Sequence, residues 1–362
     1  MLYRVIGVMS GSSLDGLDIA FVELHANSGK WDFDIIKAET VPYSGEWVEK
    51  LRNAIHLDTK NYLLLHSEYG HYIGRQVKDF IERHNLSYKV ALVSSHGHTT
   101  FHIPPYMTAQ LGDGSAIAAE TGLPVISDLR ALDLAYGGQG APIVPVGEKL
   151  LLSDYQFLLN IGGIANISVS HPTEYIAYDV CPANRVLNMI VAKKGLTFDD
   201  GGSIASTGHV NTGILQDLNR QGYYGKAYPK SLANDFGTDT IFPLLERGQL
   251  TDEDALCTYT EHIAVQVSAE IEKHIHRLGL PNARMLVTGG GAFNRYLVGR
   301  LRHYLEPMRV EVDIPDPVLV NFKEALIMAL LGVLRWRDEP TTMSSVTGAS
   351  RDSIGGAVWS GV

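Results

Sequence analysis

A strand-turn-strand design that occurs twice limits this chain more than any other feature. Ile6 to Leu24, IGVMSGSSLDGLDIAFVEL, places Gly11, Ser12, Ser13, Asp15 and Gly16 in a polar turn between two apolar runs. Small residues there let backbone N–H groups face an anion with no Cβ in the way. No Gly-Lys-Ser/Thr follows, and Leu17 to Leu24 has strand density in Ile19, Phe21 and Val22. The turn therefore joins two strands instead of opening the helix of a P-loop. Phe157 to Val169, FLLNIGGIANISV, repeats the plan with an Asn-x-Gly-Gly turn in the second half of the chain. Each alone is also what an ordinary surface hairpin looks like. Together they predict duplicated halves, each offering a phosphate-facing turn to a shared cleft.

At 362 residues the chain suits two domains of common size. Hydrophobic residues make up 45% and charged residues 19%, a globular balance, and 36 glycines supply many tight backbone sites. The formal net charge of −10, with no basic run longer than Lys193-Lys194, argues against nucleic acid or an anionic membrane as the main partner. A phosphate-bearing ligand would then be held locally, by backbone amides, a helix N-terminus or a metal ion. Cys181 and Cys257 are too few for a disulfide framework, and no signal peptide is recognisable. The longest apolar runs, such as Ala325 to Leu334, fall short of a bilayer span of ~20 residues. The expectation is a cytoplasmic protein.

Along the chain, Trp31 to Thr40 extends the opening hairpin into an antiparallel meander. Leu65, Tyr69, Tyr72, Val77, Phe80 and Ile81 make a helical stripe across Asn61 to Asn85. Val90 to Val93 reads as a short buried strand that runs into a polar loop, Ser94-Ser95-His96-Gly97-His98-Thr99, at the end where open α/β sheets hold ligands. Asp113 is placed to cap a helix through Ala116 to Glu120, and a strand from Leu123 to Ile126 leads to Asp128 and Arg130. Tyr136 to Pro142, YGGQGAP, is the densest break in the first half. It predicts a linker dividing residues 1–136 from 137–339, with 340–362 free to return to the first domain. Ile263, Val267, Ile271, Ile275 and Leu278 mark a long amphipathic helix. After it, Met285 to Val287 runs into Gly289-Gly290-Gly291 and a helix near Asn294, the pattern of a nucleotide site or simply of a tight turn. A last helix is expected from Lys323 to Trp336.

In this order, the three glycine turns look like the actin, hexokinase and heat-shock ATPase superfamily. Within it, the chain resembles the anhydro-N-acetylmuramic acid kinase family over nearly its whole length. The resemblance is carried by IGVMSGSSLDG (Ile6 to Gly16), SHGHT (Ser95 to Thr99), LGD (Leu111 to Asp113), GLPVISDLR (Gly122 to Arg130), GGQGAPIVP (Gly137 to Pro145) and NIGGIAN (Asn160 to Asn166). Pro229-Lys230-Ser231, Gly289 to Asn294 and Lys323-Glu324-Ala325 complete it. GGQGAP together with MSGSSLDG is far more specific than a lone glycine motif. The resemblance implies an α/β chain of two actin-like, ribonuclease H-like domains around an ATP cleft, a homodimer, and an enzyme that uses ATP and Mg²⁺. Such an enzyme opens the 1,6-anhydro bridge of anhydro-N-acetylmuramic acid (anhydroMurNAc) with water and places the γ-phosphoryl group on O6. The product is MurNAc 6-phosphate, an intermediate of peptidoglycan recycling.

By the same resemblance, Asp179 is the general base for the attacking water and Glu324 orients that water, unless Glu324 serves only as a first-turn helix acid. Nucleotide phosphates are expected on Gly11, Ser12, Ser13, Leu14, Asp15, Gly16, Leu17 and Asp18, with Asn160, Gly162, Gly163, Gly289, Gly290 and Gly291 completing the ATP clamp. Asp15 stands on the metal side, or else only braces its turn. The sugar is expected on His96, Gly97, Asp113, Arg130 and Asn184. Arg130 could fork onto a lactyl carboxylate or pair with Asp133.

The chain also departs from the family pattern. Asp-Thr-Gly-Pro-Gly-Asn stands here as Asp179-Val180-Cys181-Pro182-Ala183-Asn184, and Ser-His-Gly-Gln-Thr has His98 for Gln. Pro-Lys-Ser-Thr-Gly-Arg-Glu has become Pro229 to Asp235 and lost its Arg. These changes leave room for a sugar of different shape, or for a sensor that binds ATP and an amino sugar without turnover. A zinc site on His96, His98 and His102 lacks metalloprotease spacing and an acidic partner in step. Domain closure about Gly137 to Gly140 is expected to exclude bulk water from the reaction.

Overall fold

A computed structural model describes every residue except Ser12, Asn234 and Val362. The chain forms two compact units, Met1–Leu152 with Phe322–Val362, and Ser153–Asn321. The strands are β1 (Leu2–Ser10), β2 (Gly16–Asn27), β3 (Lys30–Pro42), β4 (Leu92–Ile103), β5 (Met107–Leu111) and β6 (Val125–Ser127). They continue with β7 (Phe157–Ile161), β8 (Ile164–His171), β9 (Glu174–Pro182), β10 (Arg284–Thr288), β11 (Glu311–Asp313) and β12 (Ala357–Trp359). The helices that bear on the site are α1 (Thr59–Arg83), α2 (Gly114–Thr121), α3 (Asn184–Ala192), α4 (Asp252–Leu278), α5 (Arg295–Leu305) and α6 (Pro317–Trp336).

In the first unit the sheet runs β12-β6-β4-β1-β2-β3, with β5 attached to β4. β1, β2 and β3 are an antiparallel meander, while β4 lies parallel to β1 and β6 parallel to β4. The second unit's sheet runs β11-β10-β7-β8-β9. Its meander is β7, β8 and β9, with β10 parallel to β7 and β11 parallel to β10. Setting β5 and β12 aside, both units order their strands third, second, first, fourth, fifth. The duplication is the one expected from the two hairpins, and the order is the ribonuclease H-like plan that the family resemblance implied.

Parallel crossovers require helices over the sheet, and the sequence supplies them. Val5, Ile6 and Val8 of β1 are buried, and Gly7 among them admits α6. A Cβ at Gly7 would stand 1.9 Å from the Ala325 carbonyl oxygen. Asp58 caps α1 by accepting from the Asn61 N–H, and the helix buries Leu65, Tyr69, Ile73, Val77 and Phe80. Each such side chain contributes ~1.5–3 kcal/mol through burial. In the second unit Thr251 caps α4, Asp252, Glu253 and Asp254 suit its N-terminal dipole, and left-handed Gly279 ends it. Ile263, Val267 and Ile271 of its stripe are fully buried.

Several expectations are corrected here. Ser94 to Thr99 is not a loop but the middle of β4, paired to β1 through Gly7 with Ser94, Val8 with Ser95 and Ser10 with His98. Polar side chains disguised a strand in which Ser94, Ser95, His96 and His98 are all buried. Gly137 to Gly140 lies inside the first unit, and the division falls instead after Leu152 and after Asn321. Asp133 fastens this segment, its carboxylate accepting from Gly140 N at 2.8 Å and from Thr347 Oγ1 at 2.7 Å. Gln139 N also donates to Thr347 O at 2.9 Å, so these glycines are fastened within the first unit and do not form its boundary.

The helix expected from Lys323 begins at Pro317 instead. Asp316 accepts from the Val318 and Leu319 N–H groups, and proline at the first helical position gives up only an N–H that would be unpaired anyway. Glu324 therefore sits in the helix interior, and the first-turn dipole role is excluded. Among the described residues α6 is the one helix long and apolar enough to cross a membrane, and 72% of its apolar window is buried, as in a core helix. β12, near the C-terminus, pairs antiparallel with β6 inside the first unit.

Candidate active site

The first unit gathers charge. In the β1–β2 turn Leu14 adopts the left-handed region at φ 58°. Asp15 Oδ1 accepts from Ser13 Oγ at 2.6 Å and from Gly16 N at 3.1 Å. Of the two roles open to Asp15, the one seen is the bracing of its own turn. Asp18 lies deeper, its Oδ1 accepting from Thr40 Oγ1 at 2.5 Å. Burial lifts its carboxyl to about 6, the Thr40 bond works against the rise, and the Asp15 and Glu324 carboxylates add to it. Leu17 is a core residue: its side chain is fully buried, and it pairs with Ser10 and Val41 in the sheet. Ser12 lies outside the described residues.

Glu324 belongs to the same charged group. Burial raises its carboxyl, Lys323 and Arg130 oppose the rise, and Glu148 reinforces it. Lys323 Nζ is itself tied to Glu148 Oε1 at 2.7 Å in a buried pair. Arg130 donates from Nε to His96 Nε2 at 2.8 Å and from a terminal nitrogen to Gly140 O at 2.6 Å. Burial lowers its pKa to about 10, against the pull of Glu324 and Asp133.

His96 Nδ1 lies 2.9 Å from Gly97 O, so both ring nitrogens are engaged. Burial and the Arg130 charge press its pKa down to about 3, which leaves the ring neutral, donating from Nδ1 and accepting at Nε2. His96 thus positions Arg130 and has no nitrogen free for a sugar. Arg130 makes no ion pair with Asp133, whose carboxylate serves Gly140 and Thr347. Gly97 has φ 73°, and a Cβ there would lie 2.3 Å from Leu111 O, so it is needed where β5 approaches β4. Asp113 caps α2, accepting from Ser115 N and Oγ at 2.8 Å each. The seen roles of His96, Gly97 and Asp113 are therefore structural.

The second unit gathers bare backbone. Ala183 N donates to Gly163 O at 2.8 Å and Asn184 N to Gly162 O at 3.0 Å, which ties the β7–β8 turn to the start of α3. Asn184 Nδ2 adds a bond to Ile161 O at 3.0 Å. The triple glycine lies flush on the same turn. A Cβ at Gly289 would stand 2.7 Å from Asn160 Oδ1, and one at Gly291 would stand 2.3 Å from the Ile161 side chain. Asn160, Gly162, Gly163, Asn184, Gly289, Gly290 and Gly291 are thereby brought together in a patch that side chains barely cover. Asn294 caps α5 by accepting from Leu297 N at 3.0 Å.

Asp179 sits on β9 beside a bulge, where Asn166 pairs with Asp179 and Ala165 with Cys181, leaving Val180 unopposed. Its Oδ2 accepts from Leu232 N at 2.8 Å, and its carbonyl accepts from Tyr223 OH at 2.6 Å. Burial raises its carboxyl above the ordinary range, and the Leu232 bond partly offsets the rise. A half-buried carboxylate of raised basicity is suited to accepting a proton.

Sequence reasoning missed Thr40, Glu148 and a chain of buried hydroxyls. In that chain Tyr69 OH lies 2.5 Å from Tyr43 OH, which donates to Ser10 Oγ at 2.8 Å, which lies 3.1 Å from His98 Nδ1. It also missed Gly202, where a Cβ would meet Asn294 Oδ1 at 2.2 Å. The Gly201-Gly202 doublet was the available signal for the last; nothing in the sequence marked the others. Among the described residues no three His, Cys, Asp or Glu side chains converge as a metal cage. A cation arriving with a polyphosphate would still find hard oxygen at Asp18, whose Oδ1 accepts from Thr40 Oγ1.

A family model described as anhydro-N-acetylmuramic acid kinase matches residues 3–361. Proteins named anhydro-N-acetylmuramic acid kinase from Synechococcus elongatus and Vibrio parahaemolyticus are each 32% identical to the chain, covering 98% of it and 99% and 98% of their own lengths. A protein of the same name from Bacillus cereus is 31% identical over 98% of both chains. Among solved structures, component A of (R)-2-hydroxyglutaryl-CoA dehydratase from Acidaminococcus fermentans is similar at a TM-score of 0.45, with 14% identity over 91% of this chain and 96% of that one.

Proposed function

The chain belongs to the anhydro-N-acetylmuramic acid kinase family, and from that premise we propose how its residues divide the reaction. It is an ATP-dependent phosphotransferase. In our reading, water adds to C1 of the 1,6-anhydro sugar, the C1–O6 bond breaks, and O6 takes the γ-phosphoryl group of ATP. The products are MurNAc 6-phosphate and ADP, and we read the enzyme as a cytoplasmic homodimer of peptidoglycan recycling.

Asp179 accepts the proton of the attacking water. C1 of a strained bicyclic acetal develops oxocarbenium character, so a carboxylate is base enough. Glu324 is the second catalytic carboxylate, and Arg130, with its guanidinium fixed by His96, anchors the sugar. The bare-backbone patch of the second unit and, separately, the β1–β2 turn of the first each offer backbone N–H groups suited to nucleotide phosphates. Mg²⁺ would be held by the Asp15 or Asp18 carboxylate, each engaged through Oδ1, and would offset charge on the transferring phosphate.

The reading is supported above all by the half-buried Asp179 carboxylate, fixed through Oδ2 and raised in basicity. Incubation with ATP, Mg²⁺ and anhydroMurNAc in H₂¹⁸O should give a sugar heavier by one phosphate and one water, with ¹⁸O at C1. Binding of both ligands without that product would refute the reading and favour a sensor, which no feature of the site now supports.

A further inference from the structure

We propose that Lys230, gripped by Glu270, is a positioning residue for the Asp179 carboxylate. The inference rests on Asp179 being the base. The segment Lys230 to Leu232 holds Asp179 at two points, since Lys230 O takes the Asp179 N–H at 3.4 Å and the Leu232 N–H reaches Asp179 Oδ2 at 2.8 Å. The carboxylate therefore points where this segment lets it point. Residues 230–232 belong to no helix or strand, so no regular ladder fixes them.

Their anchor is the Lys230 side chain. Its Nζ donates to Glu270 Oε1 at 2.9 Å, with the two side chains only 3% and 8% exposed. The same ammonium lies 5.4 Å from the Tyr178 ring centroid and 5.0 Å from that of Tyr223. Glu270 is immobilised in turn on α4, accepting from Tyr178 OH at 2.9 Å and from Lys273 Nζ at 3.0 Å. Tyr178 precedes Asp179 in β9, and Tyr223 donates to the Asp179 carbonyl at 2.6 Å. Both rings that confine the ammonium are thus one bond or one contact from Asp179.

A buried ion pair is a poor source of stability, because desolvation cancels most of its attraction and a well-packed apolar pair does as well. What an apolar pair cannot supply is a fixed direction, and direction is what a base beside a reacting carbon requires. Lys230 and its segment meet Asp179 through backbone groups, which act on where the carboxylate points.

The test replaces the pair by apolar residues in the whole chain, Lys230→Met with Glu270→Met, and assays ATP with anhydroMurNAc. The kcat should fall about ten- to hundredfold while KM for ATP stays within about twofold. The acid limb of the kcat profile should move to higher pH, because a slackened Leu232 bond no longer lowers the Asp179 pKa. In an Asp179→Asn background the pair change should cause no further loss. A double variant with wild-type melting temperature and kcat within about threefold of wild type overturns the proposal, as does a loss that multiplies with Asp179→Asn. If the double variant does not fold, Glu270→Gln, which keeps size and hydrogen bonding, carries the same expectations. Full activity in Asp179→Asn alone overturns the base assignment itself; inactivity there beside active pair variants overturns only the positioning role.

Discussion

The two units share one strand order and dress it in opposite chemistry. In the first, the turn and its neighbours carry Asp15, Asp18, Glu324 and Arg130, within electrostatic reach of one another. In the second, the equivalent turn is Asn160 to Gly163 against a triple glycine, and its acid, Asp179, stands apart on the bulged third strand of the meander. Packing differs too. A Cβ added at Gly11 would meet only Ser13 at 3.4 Å or beyond, whereas one at Gly291 collides with Ile161 at 2.3 Å. The same backbone plan therefore serves once to concentrate charge and once to remove side chains, and topology alone decides neither.

The contrast is most exposed at Asp179. If proton abstraction belongs to the second unit, Asp179→Asn should lower product formation by about 10²–10⁴-fold, with ATP affinity by calorimetry unchanged. Retention of activity within about tenfold would move the chemistry elsewhere. The packing contrast comes next. Gly291→Ala should cost ~1–3 kcal/mol in urea unfolding, because Ile161 must shift, while Gly11→Ala should stay within ~0.5 kcal/mol. Equal costs would erase the distinction between an open turn and a closed one.

The smallest expected effect concerns stored charge in the first unit. The folded Asp18 carboxyl titrates near 6, above its ordinary 3.8, so the folded chain holds this proton more readily than the unfolded chain does. Stability is then lost as pH rises from about 4 to about 6. Asp18→Asn should stabilise the protein at pH 7.5 by ~1–2 kcal/mol, discounted for partial exposure, and the gain should vanish near pH 4. A melting-temperature difference between variant and parent that is the same at both pH values would show that the folded chain does not raise the Asp18 carboxyl.

What could be read from sequence was whatever local pattern controls. The hairpins, the α1 stripe, the Asp113 and Asn294 caps and the triple glycine are all short-range signals, and each lies where its pattern placed it. The failures share one cause, which is polar groups satisfied by distant partners. Ser94 to Thr99 looked like a loop because nothing local reveals that β1 pairs beside it. Gly137 to Gly140 looked like a linker because its fastener, Thr347, lies far along the chain. The Arg130 bond to the second nitrogen of His96 is likewise invisible in the local sequence. The start of α6 was a different kind of miss, since Asp316-Pro317 is a legible start signal that the stronger apolar run from Ala325 obscured.

The discontinuity of the first unit bears on how the protein comes into being. Residues 322–361, which supply most of α6 and all of β12, leave the ribosome after the whole of the second unit. Until then Gly7 lacks the helix that seats on it, β6 lacks an edge partner, and Asp133 lacks the Thr347 hydroxyl. The second unit is contiguous and meets no such delay. Its folding can run ahead during translation, leaving the β1–β4 sheet as the nascent chain's exposed apolar surface, and so as the place where a chaperone would be needed.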